Sequence, residues 1–436
     1  MTSTIQVLTL GCSKNTVDTE HLLASLPSDR FMVIPEGEDV AVDYLLINTC
    51  GFIGDAKEES VNAILAAALR KKEGLVRTLY VFGCLSQRYR DELPGLIPEV
   101  DGWFGARDLG DLLRALGVEP SVKPSRRRTV PGMPYAFLKI SEGCDRRCSY
   151  CAIPYIRGNH RSVPVEELVA EASELASQGV KELVLIAQDT TWYGLDLYGR
   201  RALADLLKAL SEVAGIEWLR IHYSYPSAFP EDVLEQMVVN PKICKYLDIP
   251  LQHVSTRVLG NMHRGIDARK TRDIIRRVRE TVPGVVLRTT MMVGFPGEDS
   301  KEFRSLLDFV REARFERLGA FTYSEEEGTW GAENLRDSIR PSTKKLRLDA
   351  LMQLQREISL EFNTSRIGSE EKVLVDSYTD GVLVCRSQYE SPEVDGEILV
   401  SCPDAARAAT LVGQFVNVRI TAADDYDLTA DLIATV

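Results

Sequence analysis

The sequence contains no run of 18 apolar residues, so nothing in it can cross a membrane as a helix. The stretch from Met1 to Cys12 has neither a basic n-region nor a long apolar core. Leu-Gly-Cys12 has the look of a lipoprotein cleavage site, but the segment ahead of it is far too short. Both absences make a cytoplasmic protein without membrane contact the expectation. Cysteine is scarce: nine in 436 residues cannot build a disulfide scaffold, and in a reducing cytosol clustered cysteines bind metal or do chemistry. Basic charge is short as well. The 52 Lys and Arg against 64 Asp and Glu leave a formal charge of −12. That is the wrong sign for a protein wrapped in nucleic acid and a suitable one for a basic protein partner.

What is present is an α/β chain too long for one ordinary core. Residues 1–120 alternate apolar strands (5–10, 44–47, 78–82) with helical stretches (55–72, 85–93), the rhythm of an open parallel α/β domain. A cysteine follows each strand: Cys12, Cys50 and Cys84. Each alone reads as a small buried residue at a strand end. Three in the same slot favour a shared metal site, because ligands bind beyond the carboxyl ends of such strands. Residues 121–132, rich in proline and arginine, read as a linker, with Arg126–Arg128 as a solvated run that can also touch RNA. Residues 133–365 carry six strands (135–140, 182–187, 218–223, 245–249, 285–293, 317–323) separated by helices, which predicts an open or partial βα barrel. Residues 366–436 turn β-rich, with short strands at 372–376, 381–385, 396–400, 415–422 and 428–436 that predict a small β-barrel. Thirteen acidic residues in 367–436 face four basic ones, a charge of −9.

The richest local pattern is Cys144-Asp-Arg-Arg-Cys148-Ser-Tyr-Cys151, on the loop after the first strand of the expected barrel. Structural zinc wants four ligands, usually as two short pairs, and His160 is the nearest further candidate. Three thiolates fit a four-iron cluster better, with one iron left open to a substrate or cofactor. Tyr150 can shield such a cluster, face an adenine, or simply pack. The pattern resembles the signature of the radical S-adenosylmethionine superfamily. The resemblance implies that Cys144, Cys148 and Cys151 hold a [4Fe-4S] cluster, that S-adenosyl-L-methionine chelates its open iron, and that reductive cleavage gives a 5′-deoxyadenosyl radical. No protein general base is then needed for the key step; the protein holds the cofactor, aims the radical and excludes water.

Other strand ends offer contacts to that cofactor. Gln188 and Asp189 follow the second strand, His222 the third, Gln252 and His253 the fourth, and Gly294 and Glu298 the fifth. Each has a plainer reading: a helix cap for Asp189, a structural role for each histidine, a strand-to-helix turn for the glycines. The whole chain resembles the methylthiotransferase branch of the superfamily, through Leu-Gly-Cys12-Ser-Lys-Asn15, Asn48-Thr-Cys50-Gly, Gly83-Cys84-Leu-Ser-Gln87, Gln188-Asp-Thr-Thr and Val293-Gly-Phe-Pro-Gly-Glu298, in order. That resemblance implies a second [4Fe-4S] cluster on Cys12, Cys50 and Cys84 that carries sulfur, a C-terminal barrel of the TRAM type, and replacement of a C–H by a C–S–CH3 bond. It also implies an electron donor and a sulfur donor as partners. Branch members modify either a tRNA adenosine or an aspartate of ribosomal protein S12. A barrel that grips tRNA should be basic, so the acidic barrel favours S12, as does the likeness of the segment 387–396 to the protein-modifying subfamily. A tRNA methylthiotransferase remains the alternative, and a non-enzymatic iron–sulfur carrier the more distant one. A monomer is expected. Cys244, Cys385 and Cys402 read as buried residues.

Overall fold

The computed structural model describes residues 2–120 and 126–433; residues 121–125 of the expected linker, and 434–436 of the last expected strand, lie outside the described residues. Contacts divide the chain into two compact units: Met1–Thr129 with Glu142–Arg146 and Cys151–Arg161, and Val130–Ser141 with Arg147–Tyr150 and Ser162–Val436.

In the first unit five parallel strands stand in the order Phe31–Ile34, Ser3–Thr9, Val42–Thr49, Val76–Gly83, Gly102–Trp103. The three central ones are the expected strands. The edge strands, four and two residues long, are too short to show a period in sequence. Leu45, Ile47, Leu79 and Val81 pack with Ile64, Ala67 and Ala68 of helix Gly54–Lys72. Ile5, Val7 and Leu46 pack with Leu22, Leu112 and Leu116 in a second core. The helix expected at 85–93 is two pieces, Cys84–Arg88 and Leu93–Leu96, the second started by Pro94, which lacks an N–H and suits a first turn. Helix Ser13–Ser25 was not anticipated: its buried residues include Lys14, Asn15 and Thr19, so no apolar period marks it. The arginine run is not a solvated strip. Arg126 and Arg128 are exposed, but Arg127 is buried and its Nε donates to Glu20 Oε2 at 2.8 Å, an ion pair that offsets the desolvation of the guanidinium.

The second unit holds six parallel strands, in the order Arg317–Thr322, Val286–Val293, Ile243–Asp248, Trp218–Ile221, Glu182–Ile186, Tyr135–Lys139. The sheet does not close, as an open βα barrel requires. Alternate residues point to opposite faces. Leu183, Leu185, Leu219, Ile221, Leu247 and Leu287 pack under the helices Val165–Ser177, Leu203–Ser211, Glu231–Val239, Ala268–Thr281 and Ser300–Ala313. The other face carries Glu182, Arg220, Tyr246, Arg288 and Arg317. Helix Pro341–Ser365 leads to a closed five-stranded barrel, Glu370–Thr379, Val382–Arg386, Ile398–Ser401, Leu428–Leu432 and Phe415–Ala423 in ring order. Helix Ala405–Leu411, unforeseen in the sequence, adds Ala408 to the barrel core.

The polar face of the six-stranded sheet is covered by the barrel's own segment 386–395. Arg386 NH1 donates to Glu182 Oε2 at 2.7 Å, and Arg220 Nε to Glu182 Oε1 at 2.6 Å. Arg220 NH1 reaches Gln388 O at 2.8 Å. Tyr246 OH donates to Asp395 Oδ2 at 2.6 Å, and Arg317 NH2 to Glu390 Oε1 at 2.9 Å. Arg366 completes the clasp on Glu390. Part of the barrel's acidic excess is therefore internal: Glu371, Asp376, Glu390 and Asp395 face arginines. Burial acts to raise the Glu390 carboxyl, but Arg366 and Arg317 outweigh it and hold the group down at about 2.

Removing one partner from a buried pair leaves the others uncompensated, at a cost of about 3–5 kcal/mol. Glu390→Gln is therefore expected to lower unfolding stability by about that amount at pH 7, measured by urea denaturation. A carboxyl with a depressed folded pKa stabilises fully above its unfolded value, 4.5, and loses that contribution as pH falls towards 2. The gap between wild type and variant should accordingly hold from pH 7 to 5 and narrow below pH 4.5; a gap that stays constant down to pH 3 contradicts the assignment.

Candidate active site

Parallel register gathers the first three cysteines. Thr9 pairs with Asn48, and Thr49 with Gly83, so the three central strands of the first unit end at one level. Cys12, Cys50 and Cys84 follow those ends; Cys12 is exposed and the other two are buried. Glycines let the ends close in. A Cβ on Gly11 would stand 2.6 Å from Cys50 Cβ and 3.0 Å from its Sγ, and one on Gly51 would stand 2.7 Å from Leu85 Cα. Gly83, at φ +101°, has no room either, with Asn48 Oδ1 at 2.5 Å and Thr49 O at 2.7 Å from a Cβ. Asn15 ties the ends together: its Nδ2 donates to Leu10 O at 2.7 Å and Thr49 O at 3.1 Å. Ser60 Oγ brackets Cys50, accepting from its N at 3.0 Å and donating to its O at 2.9 Å.

The electrostatics of this edge suit a metal group. Burial pushes the Cys84 thiol up to about 11, against the pull of Arg157. Burial also raises the Cys50 thiol, and Cys12 adds to that by repulsion between the negative forms. These two thiols keep their protons at neutral pH until a cation displaces them. Arg157, itself 2% exposed, donates from Nε to Cys84 Sγ at 3.2 Å. Among the described residues no three or more Cys, His, Asp or Glu converge as ligands of one metal ion. A cubane makes a different demand, since each of its cysteines meets a separate iron. Two buried thiols, an exposed third and an N–H donor at the same strand ends fit such a group.

The second triplet is spread over segments of both units, Cys144 and Cys151 in the first and Cys148 in the second. Cys144 is buried and its N–H donates to Gly158 O at 3.0 Å. Gly143 beside it, at φ +77°, could carry no side chain, because a Cβ would stand 2.2 Å from Asn159 O. His160, the candidate fourth ligand, is buried, and its N–H donates to Asp145 Oδ1 at 3.2 Å. In the second unit Cys148 Sγ lies 3.7 Å from Tyr225 OH and 3.5 Å from Arg264 NH1. Arg264 is buried, with its guanidinium 4.2 Å over the Tyr225 ring. The Arg264 guanidinium beside the Cys148 sulfur suits the iron–sulfur reading.

The expected cofactor contacts stand where the sequence placed them, at the carboxyl ends of neighbouring strands, but several are already engaged. Tyr150 packs edge-on to Phe295, ring centroids 6.2 Å apart, and Arg264 NH1 reaches its OH at 3.4 Å. Gln188 is half-buried. Asp189 is buried and caps the short 3-10 turn Thr190–Trp192, accepting from Thr191 N at 2.9 Å and Thr191 Oγ1 at 2.6 Å. His222 Nε2 lies 2.7 Å from Ser391 Oγ, and its ring stacks on Tyr246. Gln252 is buried at φ +73°, with its side-chain Oε1 unpartnered. Left-handed backbone in a non-glycine residue is uncommon and collects at functional sites; Tyr223 (φ 57°) and His263 (φ 55°) share it. Gly294 N–H donates to Glu298 Oε2 at 2.7 Å, and Arg347 NH1 to Glu298 Oε1 at 2.9 Å, so Glu298 anchors helix Pro341–Ser365. His253 is fully buried, with Nε2 3.7 Å from Glu298 Oε2. Sequence reasoning missed Arg157 and Arg264, and gave Asn15 no role. The one signal for the arginines is a following glycine at positive φ, Gly158 and Gly265.

Three family models match the chain: the Uncharacterized protein family UPF0004 over residues 4–105, the Radical SAM superfamily over 138–310, and the TRAM domain over 367–433. The chain is 49% identical over 431 residues to a ribosomal protein uS12 methylthiotransferase RimO of Porphyromonas gingivalis, covering 98% of this chain and 99% of that one. It is 47% identical over 433 residues to the protein of the same description from Phocaeicola vulgatus, covering 99% of each. Among solved structures it resembles TsrM of Kitasatospora setae, a radical S-adenosylmethionine methyltransferase with cobalamin and a [4Fe-4S] cluster bound, at a TM-score of 0.55 and 14% identity over 88% of this chain and 77% of that one. That last likeness is one of fold. Near-half identity across almost the full length of the first two relatives, together with the radical S-adenosylmethionine match, means that the chain belongs to the RimO family of radical S-adenosylmethionine methylthiotransferases.

Proposed function

We propose that this protein inserts a methylthio group at the β-carbon of an aspartate of ribosomal protein uS12. The observation that carries the reading is 46–49% identity, over nearly the whole chain, to relatives described as uS12 methylthiotransferases. A tRNA substrate is not favoured by those relatives, and a purely electron-storing role is not favoured by the radical S-adenosylmethionine match. Residues 1–120 form the sulfur-handling part, 133–365 the radical part and 366–436 the TRAM barrel.

In this reading Cys144, Cys148 and Cys151 hold one [4Fe-4S] cluster, and Cys12, Cys50 and Cys84 a second. When bound, the first supplies one-electron cleavage of S-adenosyl-L-methionine and the second supplies the sulfur. The chain's own residues do the rest. Arg264 directs a hydrogen bond at Cys148 Sγ, and Tyr225, whose OH donates to Arg264 O, holds that arginine in place. Tyr150 packs edge-on to Phe295 and adds apolar surface beside Cys148. Gln252, held strained with an open carbonyl oxygen, is the strongest of the proposed cofactor contacts; Gln188, Asp189, His222, Gly294 and Glu298 shape the strand ends around it. The acidic barrel surface, where Asp424, Asp427 and Asp431 are exposed, attracts the basic substrate. The protein acts in the cytoplasm as a monomer, with an electron donor and a sulfur donor as further partners. No described helix is long and apolar enough to cross a membrane.

Two experiments test the reading. Mass spectrometry of uS12 from cells with and without the protein is expected to show a methylthio-aspartate only in the former; methylthioadenosine as product with uS12 unchanged refutes it. Cys12→Ala is expected to keep S-adenosylmethionine cleavage but abolish methylthio insertion, and Cys148→Ala to abolish both. Equal cleavage by the two variants contradicts the division of labour.

The surface charge makes its own prediction. Neutralising Asp424, Asp427 and Asp431 to Asn should slow association with uS12 at low salt and leave it unchanged at high salt, where a Debye length of about 3 Å at 1 M screens the field. Stopped-flow association rates across ionic strengths decide this. Equal rates at low salt mean that the acidic face does not steer the substrate.

A further inference from the structure

Arg157 is the most heavily engaged side chain near the first three cysteines, and neither the family match nor the sequence pattern gives it a task. It is 2% exposed and uses every edge of its guanidinium. Nε donates to Cys84 Sγ at 3.2 Å, NH2 to Asn15 Oδ1 at 2.6 Å, and NH1 to Asp18 Oδ2 at 2.8 Å and Glu142 Oε2 at 3.0 Å. A structural ion pair would set a carboxylate across two guanidinium nitrogens. Here both carboxylates share NH1, and their side chains remain 16% and 21% exposed. The dry edge, Nε and NH2, is turned to the thiol and to Asn15. Asn15 passes the constraint on, since its amide holds the carbonyls of Leu10 and Thr49, at the strand ends that carry Cys12 and Cys50.

We infer that Arg157 is a positioning residue for an iron–sulfur cluster on Cys12, Cys50 and Cys84, and that its N–H···S hydrogen bond and positive charge hold that cluster's reduction potential up. The inference rests on the proposed second cluster. Hydrogen bonds to ligand sulfur and net local charge are among the levers that set such potentials. One-electron reduction adds negative charge to the cluster, and a fixed guanidinium in a dry setting stabilises the reduced form more than the oxidised one. Lysine preserves the charge but not the planar fork. Glutamine preserves one donor but not the charge.

The test uses the full-length protein with Cys144, Cys148 and Cys151 all changed to Ala, so that any cluster sits on the other three cysteines. After reconstitution with iron and sulfide, the protein is titrated with dithionite as electron donor and followed by electron paramagnetic resonance. Arg157→Gln is expected to shift the midpoint to more negative potential and to alter the reduced-cluster spectrum, with Arg157→Lys in between. Midpoints and spectra equal to the parent's in both variants overturn the inference. If neither variant takes up iron while circular dichroism and melting match the parent's, the positioning role stands. If both lose the melting transition, Arg157 is a structural strut and the inference falls. Should the parent itself take up no cluster, it is the proposed second cluster that fails, whatever the Arg157 variants do.

Discussion

In-register parallel pairing of three adjacent strands is the constraint on which the first unit depends. The matches Thr9 with Asn48 and Thr49 with Gly83 bring chain ends that are remote in sequence to one level. A one-residue slip in either pair would turn the strand's faces over and lift its cysteine out of line. The glycines at 11, 51 and 83 serve the same end. Each lies where a Cβ would meet backbone or the next cysteine within 3 Å, so the close approach of the loops is written into the chain as absent side chains. The second unit repeats the principle with six strands, and its candidate residues likewise follow the strands' carboxyl ends.

Buried arginine is the recurring electrostatic device. Arg157 donates to Cys84, Arg264 to Cys148, and Arg220, Arg317 and Arg386 fasten the C-terminal barrel to the polar face of the sheet. A guanidinium is costly to desolvate, but its planar fork and permanent charge let it satisfy several acceptors at fixed angles. The two uses differ in what is satisfied. At the barrel the partners are carboxylates and backbone carbonyls, and the result is docking. At the cysteines the partners include a thiol sulfur, a weaker acceptor than a carboxylate.

What the sequence made legible follows from what generates a pattern. The six strands of the second unit appear within two residues of their expected ends, because apolar residues such as Leu183, Leu185, Leu219 and Ile221 recur at every second position under the helices. The cysteine slots were legible because each follows such a run. Helix Ser13–Ser25 was not, since it turns Lys14, Asn15 and Thr19 inward. Arg157 and Arg264 left no periodic trace, because a single charged residue in a loop looks alike whether it faces water or a thiol. Arg127 was misread for that reason, its partner Glu20 lying on a helix the pattern had hidden. Asp189 and Glu298 occupy the expected strand ends, yet their carboxylates already serve a turn and a helix, a commitment visible only once the neighbours are in place.

The barrel's charge shows the same limit and how far it reaches. Counted in sequence, every acidic residue weighs equally towards a basic partner. In the fold, Glu371, Asp376, Glu390 and Asp395 are turned to arginines and contribute little field outside. The exposed set, including Asp380, Glu397, Asp404, Asp424, Asp427 and Asp431, has few cations to oppose it, for Arg386 is itself buried. The sign of the outer surface therefore survives the correction although its size does not. Exposed charges of this kind act on encounter rate and on rejection of polyanions more than on final affinity. On the proposed function, an acidic barrel would discriminate against RNA as it attracts a basic protein, which would make the same few carboxylates both the lure for one class of substrate and the barrier to the other.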